Sequence, residues 1–365
     1  MSDIQRVTMP KWGLSMESGK VTEWLVKPGD TIAEGDPICE IDTDKIAGEL
    51  ESTWEGTVRA LVVEVNEDVP VGGTIAVVAP TEVSDDEINA VVAEAREQLA
   101  AGGIEDDSGP KLATVTVHDR QISYASLGEG DGTPIVFVHG YGGDKNSWLF
   151  VQEPLSADRV TYALDLPGHG ASSKDVGDGS LEGLAKSVLG FLDELGLDKA
   201  HLVAHSMGGA VAVIAAGHAP DRVASLTLIS PAGLGPEINT SYIEGFASAE
   251  TRRELKPHLQ QLFADAGLVN RQLIDDLLKY KRLDGVDEAL SKLSTTLTSG
   301  NVSVADELTR FSGQVVVVWG AADKIVPISN AAGLSDVRQI EEVGHMAHME
   351  SPTSVVSAIR DALTV

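Results

Sequence analysis

The sequence has 365 residues, which is more than one ordinary hydrophobic core accommodates and predicts two domains. Its net charge of −29 argues against nucleic acids and anionic membranes as partners, although the same charge is equally explained as a means of keeping a crowded enzyme soluble. The single cysteine, Cys39, excludes an intrachain disulfide, and we find no signal peptide and no apolar stretch long enough to span a bilayer. A cytoplasmic location is therefore expected.

The N-terminal region contains an internal repeat. Residues 19–41 match residues 56–78 at a fixed offset of 37. Both copies are rich in Val and Ile and are interrupted by Gly, Pro and Asp, which is typical of short β-strands. Because two such sets can cover each other's apolar sides, the repeat predicts a small all-β sandwich over residues 1–80.

Between the two copies lies the segment 40–46, Glu-Ile-Asp-Thr-Asp-Lys-Ile. Asp and Thr favour a turn, so Lys45 is expected at the tip of a hairpin. A lone lysine is ordinarily a solvated surface residue. At the join of a pseudo-symmetric sandwich, however, a tip lysine is suited to carry a swinging prosthetic arm.

The sequences at residues 35–38 (Gly-Asp-Pro-Ile) and 42–45 (Asp-Thr-Asp-Lys) resemble the lipoyl, or biotinyl-like, domains of 2-oxo acid dehydrogenase complexes. The resemblance implies lipoate covalently attached at Lys45 by a lipoate ligase. Biotin carriers usually have methionines beside this lysine, whereas Asp44 and Ile46 flank it here, which favours lipoate. The acids that the lipoylating enzyme would read, unless they are only solvated turn residues, are Glu40, Asp42 and Asp44.

Residues 81–111 are interpreted as an acidic linker with one amphipathic helix. Acids at residues 85–87 precede apolar residues at helical spacing, and the pattern ends near residues 102–103. The helix either docks on a neighbour or acts as a semi-rigid spacer. Acyltransferase subunits of conventional dehydrogenase complexes have a two-helix subunit-binding domain at this point, so their usual mode of assembly is not expected here.

From residue 112 onward, apolar runs alternate with helical patterns. The runs interpreted as buried strands are residues 135–138, 160–164, 201–204, 226–229 and 315–319, and the predicted helices are residues 181–195 and 207–218. Strands that alternate with helices predict a mainly parallel sheet with helices on both faces, over residues 112–365.

A candidate nucleophile lies where one of these strands leads into a helix. Residues 204–208, Ala-His-Ser-Met-Gly, resemble the nucleophile elbow of α/β hydrolases, with Ser206 at its centre. Small residues are needed two positions before and after the serine because strand and helix approach closely. Ala204 and Gly208 fill these positions, and the alanine departs mildly from the usual glycine. Since a five-residue pattern is weak alone, the other catalytic groups must also be present.

The other motifs of this fold follow in the expected order. Asp323 comes after a late strand as the acid, and His345 comes after the next strand as the base. Residues 139–143, His-Gly-Tyr-Gly-Gly, resemble the oxyanion loop of α/β hydrolases. That resemblance implies that the backbone N–H groups of Tyr141 and Met207 face the developing oxyanion.

The same region contains other histidines and one insertion. His348 could be mistaken for the base, but the glycine before His345 and the Glu-x-Pro after it favour His345; His139 and His205 are expected to serve packing. No cluster has metal-ligand spacing, so no metal is predicted. Residues 236–306 interrupt the strand pattern and predict a helical cap. Its helices are expected near residues 241–264, 270–281 and 285–298, with Phe246, Leu255, Leu262, Leu277 and Leu278 in its core.

Conventional lipoyl acyltransferases carry a His-x-x-x-Asp-Gly signature, which this sequence lacks. The whole chain instead resembles the acyltransferase component of acetoin dehydrogenase systems, which joins a lipoyl domain to an α/β-hydrolase-like domain. The resemblance implies transfer of an acetyl group from lipoyl-Lys45 to coenzyme A at the Ser-His-Asp site. It also implies a thiamine-diphosphate-dependent dehydrogenase component and a flavin dihydrolipoyl dehydrogenase as partners.

Two alternatives stay open at this stage. Water could replace coenzyme A as the acceptor, which would make the chain a lipoyl-tethered thioesterase or hydrolase. The chain could also be a non-catalytic lipoyl carrier and scaffold. Degenerate hydrolase folds usually lose triad residues, and the presence of Ser206, Asp323 and His345 tells against pure scaffolding. The acyl donor and the oligomeric state are not encoded in any pattern we can interpret.

Overall fold

The computed structural model describes residues 4–10, 16, 18–43, 47–101, 109–157, 159–334 and 336–363. The chain divides into two compact units, Met1–Gly109 and Pro110–Val365. Within the described residues, no helix combines the length and the apolar character that crossing a bilayer requires.

The first unit consists of short antiparallel strands in two sheets. Its strands in the described residues are β1 (Gln5–Thr8), β2 (Ser18–Trp24), β3 (Thr31–Ile32), β4 (Pro37–Asp42), β5 (Ala47–Glu51), β6 (Gly56–Leu61), β7 (Asp68–Pro70) and β8 (Thr74–Ala79). One sheet has the order β1-β8-β6-β3 and the other the order β5-β4-β2-β7. Buried Val and Ile side chains line both sheets, which confirms the all-β fold predicted for this region.

The sequence repeat corresponds to two sets of three strands, β2-β3-β4 and β6-β7-β8. Val21 and Val58 are equivalent in the two copies, and both are fully buried. The short middle strand of each copy lies in the sheet of the other, because β3 pairs with β6 and β7 pairs with β2. The pattern alone did not predict this exchange, since a strand as short as β3 has too few residues to indicate its partner.

Helix α1 (Asp85–Ala101) occupies the region interpreted as a linker. It begins with a capping box, in which the Ser84 hydroxyl accepts from the Glu87 N–H and the Glu87 carboxylate accepts from the Ser84 N–H. The helix contacts β6 and β8, and its residues Ile88 and Ala95 are buried. Of the two alternatives left open by the sequence, the structure therefore shows docking, and the surface that receives the helix is the β-sandwich itself.

The second unit is built on an eight-stranded sheet within its described residues. The strands are β9 (Lys111–Val117), β10 (Arg120–Leu127), β11 (Ile135–Val138), β12 (Thr161–Leu164), β13 (Ala200–His205), β14 (Val223–Ile229), β15 (Gln314–Gly320) and β16 (Val337–Ile340). Their order is β16-β15-β14-β13-β11-β12-β10-β9. Strands β11 to β16 are parallel to one another, whereas β10 pairs antiparallel with both β12 and β9, which confirms a mainly parallel sheet.

Helices cover both faces of this sheet. In chain order they are α2 (Leu149–Leu155), α3 (Leu181–Glu194), α4 (Met207–His218), α5 (Thr240–Ser248), α6 (Arg252–Leu259), α7 (Arg271–Lys281), α8 (Val286–Thr298), α9 (Ala305–Arg310), α10 (Ala347–Glu350) and α11 (Pro352–Ala362). Alternate residues of β11 face opposite layers. Val136 and Val138 join the core with α3 and α4, whereas Ile135 and Phe137 join the core with α2 and α11.

The helical cap comprises α5 to α8, between β14 and β15. The sequence predicted helical structure around residues 241–264, and the structure has two helices there, α5 and α6. Thr251 and Glu254 form a capping box, so the helix that ends at Ser248 is followed by a new helix that begins at Arg252. Of the side chains expected in the cap core, those that are buried are Phe246, Leu255 and Leu278, and those half-buried are Leu262 and Leu277.

Candidate active site

Ser206 lies at the sharp turn between β13 and α4. Its backbone angles, φ 53° and ψ −120°, fall in a region that residues with a side chain rarely adopt. Such strain persists only where the surrounding structure holds it, and it is the geometry that presents a nucleophile at the end of a strand. Ser206 is 7% exposed, so an acyl group must reach it through its surroundings.

The residues that flank Ser206 are small for a steric reason. A Cβ atom at Gly208 would collide with the carbonyl oxygens of Val138 and His139, so the first turn of α4 can lie against β11 only with glycine there. Ala204, the mild departure from the motif, is fully buried and its methyl group is accommodated. The close approach of strand and helix that the motif predicts is thus present.

Asp323 and His345 are brought together by the loops that follow β15 and β16. The Nδ1 atom of His345 lies 2.8 Å from Oδ2 of Asp323, and both side chains are buried. The other carboxylate oxygen accepts from the N–H groups of Ile325 and Val326, at 2.8 and 3.0 Å. Burial opposes ionisation of Asp323, but the charge and hydrogen bond of His345 and the two N–H donors outweigh it, so the pKa of Asp323 lies below its ordinary value.

His345 also lies beside the strand end that carries the nucleophile. The ring of His205, the residue before Ser206, has its centroid 4.6 Å from that of His345. The His205 Nε2–H donates to the backbone oxygen of His345 at 2.9 Å. Burial lowers the pKa of His205 well below its ordinary value, so the ring stays neutral while it bonds the backbone of His345.

The neighbouring His348 has a different environment. Its ring is completely buried and stacked on Trp148, with centroids 4.6 Å apart. Neither of its ring nitrogens has a hydrogen-bond partner within the described residues, and burial lowers its pKa to about 3. Of the two candidate bases, His345 is the one bonded to a carboxylate.

The loop expected to hold the oxyanion packs directly on the nucleophile. A Cβ atom at Gly140 would lie 2.9 Å from Cβ of Ser206. The Tyr141 N–H donates to no backbone carbonyl in the described part of the chain, while its hydroxyl donates to Leu290 O at 3.0 Å and anchors the side chain. Met207 is the first residue of α4, so its N–H has no acceptor within the helix. Both N–H groups are therefore available as oxyanion donors.

Two buried histidines fix the shape of this loop. His139 Nε2 accepts from the Leu166 N–H at 3.0 Å, and His169 Nε2 accepts from the Gly142 N–H at 3.1 Å. Burial lowers the pKa of both rings, which leaves the neutral form with one nitrogen free to accept. The sequence assigned His139 to packing, and these bonds show that both histidines accept a backbone N–H beside the loop.

A buried ion pair beneath the same loop was missed by sequence reasoning. Asp165 accepts from Lys145 Nζ at 2.6 Å, from the Lys145 N–H at 2.7 Å and from the Ala171 N–H at 2.8 Å. Both side chains are buried. No sequence pattern distinguishes Lys145 from a surface lysine, because its partner lies on a different strand end.

The helical cap reaches the oxyanion loop through Phe246. A Cβ atom at Gly142 would lie 2.5 Å from the Phe246 ring, and the rings of Tyr141 and Phe246 are 5.7 Å apart. The buried Lys281 donates to the carbonyl oxygens of Phe246 and Ala247, at 2.8 and 2.7 Å, and so closes the end of α5. Phe246 is thus both cap core, as expected, and a neighbour of the oxyanion loop.

The candidate attachment site lies in the first unit. Strands β4 and β5 pair with Asp42 opposite Ala47, and residues 43–46 connect these paired ends. Lys45 belongs to this connection, and residues 44–46 lie outside the described residues. Glu40 and Asp42 are exposed on β4, while Asp44 lies outside the described residues. The exposed strand end that precedes this connection fits the attachment of a long covalent group next to it.

Comparisons with known proteins identify the class of each unit. The alpha/beta hydrolase fold family matches residues 133–352, and the family described as "Biotin-requiring enzyme", of biotin and lipoyl carriers, matches residues 5–78. A solved serine hydrolase from Cycloclasticus zankles is 18% identical, with a TM-score of 0.63 over 69% of this chain and 97% of that one. Such a distant likeness establishes the fold alone. The molecule is an α/β-hydrolase-fold protein with an N-terminal biotinyl/lipoyl domain.

Two relatives match nearly the whole chain. The "Dihydrolipoyllysine-residue acetyltransferase component of acetoin cleaving system" of Pseudomonas putida is 46% identical over 360 residues, which cover 97% of each chain. The protein of the same name from Cupriavidus necator is 45% identical over 350 residues, which cover 94% of this chain and 93% of its own. The chain belongs to this family of dihydrolipoyllysine-residue acetyltransferases. The family resemblance and the lipoyl type of cofactor inferred from the sequence are therefore confirmed.

Proposed function

We propose that the chain transfers an acetyl group from the lipoyl group of Lys45 to coenzyme A and that Ser206, His345 and Asp323 carry the reaction. The observation that carries the proposal is the bonded His345–Asp323 pair beside the Ser206 elbow, in a chain whose relatives are named acetyltransferases. Lipoate, when attached, supplies a thiol on a long arm that holds an acyl group as a thioester. All other chemistry belongs to residues of the second unit.

In the first half of the reaction, Ser206 is the nucleophile. Its Oγ attacks the acyl carbon while Nε2 of His345 accepts its proton, and Asp323 stabilises the imidazolium through Nδ1. The N–H groups of Tyr141 and Met207 hold the charge on the carbonyl oxygen, and losing one such donor typically costs ~10²–10³ in rate. The C–S bond then breaks, His345 returns the proton to the departing thiolate, and Ser206 carries the acetyl group as an ester.

In the second half, coenzyme A is the acceptor. Its thiol gives a proton to His345 and attacks the ester carbon, so a C–S bond forms and the ester C–O bond breaks. Ser206 leaves as an alkoxide and takes the proton from His345. The products are acetyl-coenzyme A and the free enzyme. Water at the same position would release acetate instead, so exclusion of water from the buried site separates an acetyltransferase from a hydrolase.

The proposal extends to domain limits and partners. We assign residues 1–80 to the lipoyl domain, 81–111 to the connecting segment with α1, and 112–365 to the catalytic domain with its cap near 236–306. A thiamine-diphosphate-dependent dehydrogenase component would supply the acetyl group from acetoin, and a flavin dihydrolipoyl dehydrogenase would reoxidise the arm. A lipoate ligase would load Lys45. A chain with one cysteine suits the cytoplasm.

The test follows the acetyl group. Purified protein is incubated with S-acetyl-dihydrolipoamide, with and without coenzyme A, and acetyl-coenzyme A and acetate are quantified. We expect acetyl-coenzyme A to dominate when coenzyme A is present and Ser206→Ala to form neither product. Acetate as the main product in both incubations would favour a tethered thioesterase. Full acetyl transfer by Ser206→Ala, with partner enzymes supplied, would make the second unit a scaffold.

A further inference from the structure

Glu350 belongs to the Glu-x-Pro motif after the base, and the reaction above gives it no role. Its two carboxylate oxygens accept from different parts of the second unit. Oε1 accepts from the Gly344 N–H at 2.8 Å, and Gly344 immediately precedes His345. Oε2 accepts from the Ala264 N–H at 2.8 Å, and Ala264 belongs to the segment that follows cap helix α6. One side chain therefore bonds both the loop of the base and the helical cap.

The same two segments are joined a second time through the backbone. The carbonyl oxygen of Leu262 accepts from the N–H of His345 at 2.8 Å and from the N–H of Met346 at 3.2 Å. Together with the bonds of Glu350, these contacts hold residues 262–264 against the loop 344–346. The backbone position of His345 consequently depends on a segment of the cap.

We propose that Glu350 is a positioning residue that ties the helical cap to the loop of the catalytic base, so that His345 is held in its reactive position only while the cap is seated. This inference rests on the proposed function, because it concerns the base of that reaction. Glu350 itself touches no reacting atom.

A carboxylate is the side chain that this arrangement requires. It accepts two N–H donors at once and bonds them more strongly than a neutral group does. A glutamine of the same size has one acceptor oxygen, and its NH₂ group would face the second N–H donor. Burial raises the pKa of Glu350, although the bonds from Ala264 and Gly344 favour the anion. In the glutamine variant the side chain can therefore accept from one of the two N–H groups instead of both.

The test compares Glu350→Gln with Glu342→Gln, which removes an exposed carboxylate three residues before His345. The kcat and KM for the cleavage of p-nitrophenyl acetate are measured at one pH. We expect kcat of Glu350→Gln to fall by roughly 10- to 100-fold, because misplacement of a catalytic group by about 1 Å can cost ~10². KM should change little, because Glu350 touches no reacting atom, and the control should match the wild type in both respects.

A second pair of measurements tests the position of the base while the carboxylate is kept. Glu350→Asp has a shorter side chain that cannot reach both N–H groups, so its kcat should also fall with little change in KM. Amide hydrogen exchange at Ala264 and Gly344 can be measured without turnover. Since the exchange rate reports how often an amide hydrogen bond opens, it should be at least about tenfold faster in both Glu350 variants.

The outcomes are distinct. Unchanged exchange at both amides, or a kcat of Glu350→Gln equal to that of Glu342→Gln, would overturn the role of Glu350. If exchange becomes faster and folding weakens but kcat does not change, Glu350 is purely structural and the inference is wrong. Turnover that survives in Ser206→Ala would instead contradict the proposed function. The exchange data would still report on the hydrogen bonds that Glu350 accepts from Ala264 and Gly344.

Discussion

The two units place the residues around their proposed functional groups in opposite surroundings. Lys45 belongs to the connection between β4 and β5, and Asp42, which precedes that connection, is exposed. Ser206 and His345 are buried, and each is held by neighbours through strain, stacking or hydrogen bonds. A carrier needs reach and access, because its chemistry arrives with the attached group. A catalyst needs fixed geometry, because its rate depends on pre-positioned groups. Substitutions around the site should therefore cost little in the first unit and much in the second.

The largest effect is expected at the attachment point itself. Lys45→Arg keeps the positive charge but removes the amine that forms the lipoyl amide, so lipoylation should be abolished completely. The chain is co-expressed with a lipoate ligase, and intact mass is measured. Lys20→Arg, an exposed lysine on β2 opposite Asp42, is the matched control and should still gain the lipoyl mass. Any residual lipoyl mass on Lys45→Arg would show a second attachment site.

The next effect concerns the catalytic groups. Ser206→Ala and His345→Ala should each lower acetyl transfer by at least ~10³, and the double variant should lose little more, because residues that act as a unit are not additive. Lipoylation of Lys45 should be unchanged, since it belongs to the other unit. The exposed cap serine in Ser248→Ala is the control. Additive losses in the double variant would argue that the two residues serve separate steps.

A third prediction distinguishes the two units by the pH dependence of their stability. All nine histidines of the sequence lie between His118 and His348, in the second unit. Burial lowers the pKa of His348 to about 3 and that of His201 to about 4 in the folded state. In the unfolded chain these histidines have the ordinary pKa of about 6.5. The stability of the second unit is therefore fully present above that pH and is lost as the pH falls towards the pKa values of the folded state.

The measurement uses calorimetry between pH 7.5 and 5. The second unit should melt at progressively lower temperature as the pH falls, whereas the first unit should change little. Cys39 reports on the first unit, because burial raises the pKa of its thiol to about 12 and keeps it unreactive until that unit unfolds. Equal losses in both units over this range would contradict the assignment to buried histidines.

The smallest effect is expected on the exposed face of β4. Glu40 lies opposite Glu23 on β2 and opposite Glu49 on β5, so three like charges are side by side. Like charges in directly opposed positions are destabilising. Glu40→Gln should therefore raise the free energy of unfolding of the first unit by roughly 0.2–1 kcal/mol at low salt, and by less at high salt. Urea unfolding at two salt concentrations checks the sign, and a clear loss of stability would contradict it.

Much of the catalytic unit could be predicted because its signals are local and ordered. The strand before Ser206 and the glycine at Gly208 are features of neighbouring residues, and Ser206, Asp323 and His345 follow in the order of the fold. The contacts that hold the site are not local. The Lys145–Asp165 pair joins residues from different connections of the sheet, and no period in the sequence relates them.

The sequence repeat contains a signal for the docking of α1 on the β-sandwich. Glu40 and Asp42 are exposed on β4, but their equivalents at the offset of 37 are Val77 and Ala79, which are fully buried on β8. An outward position that is acidic in one copy and apolar in the other indicates a covered face. The difference between the two copies therefore indicates that the outer face of β8 is covered, whereas that of β4 is not.

The docked helix also defines where a transplantable carrier ends. Arg59 pairs with Asp85 at 2.6 Å, and Arg6 pairs with Glu94 at 2.6 Å, so charged contacts secure α1 along the sandwich in addition to its buried residues. A fragment trimmed at the last strand would lose the helix that contacts β6 and β8. A lipoyl module grafted onto another enzyme, or supplied as a free acyl donor, should therefore extend through Ala101 to keep the surface that its own chain covers.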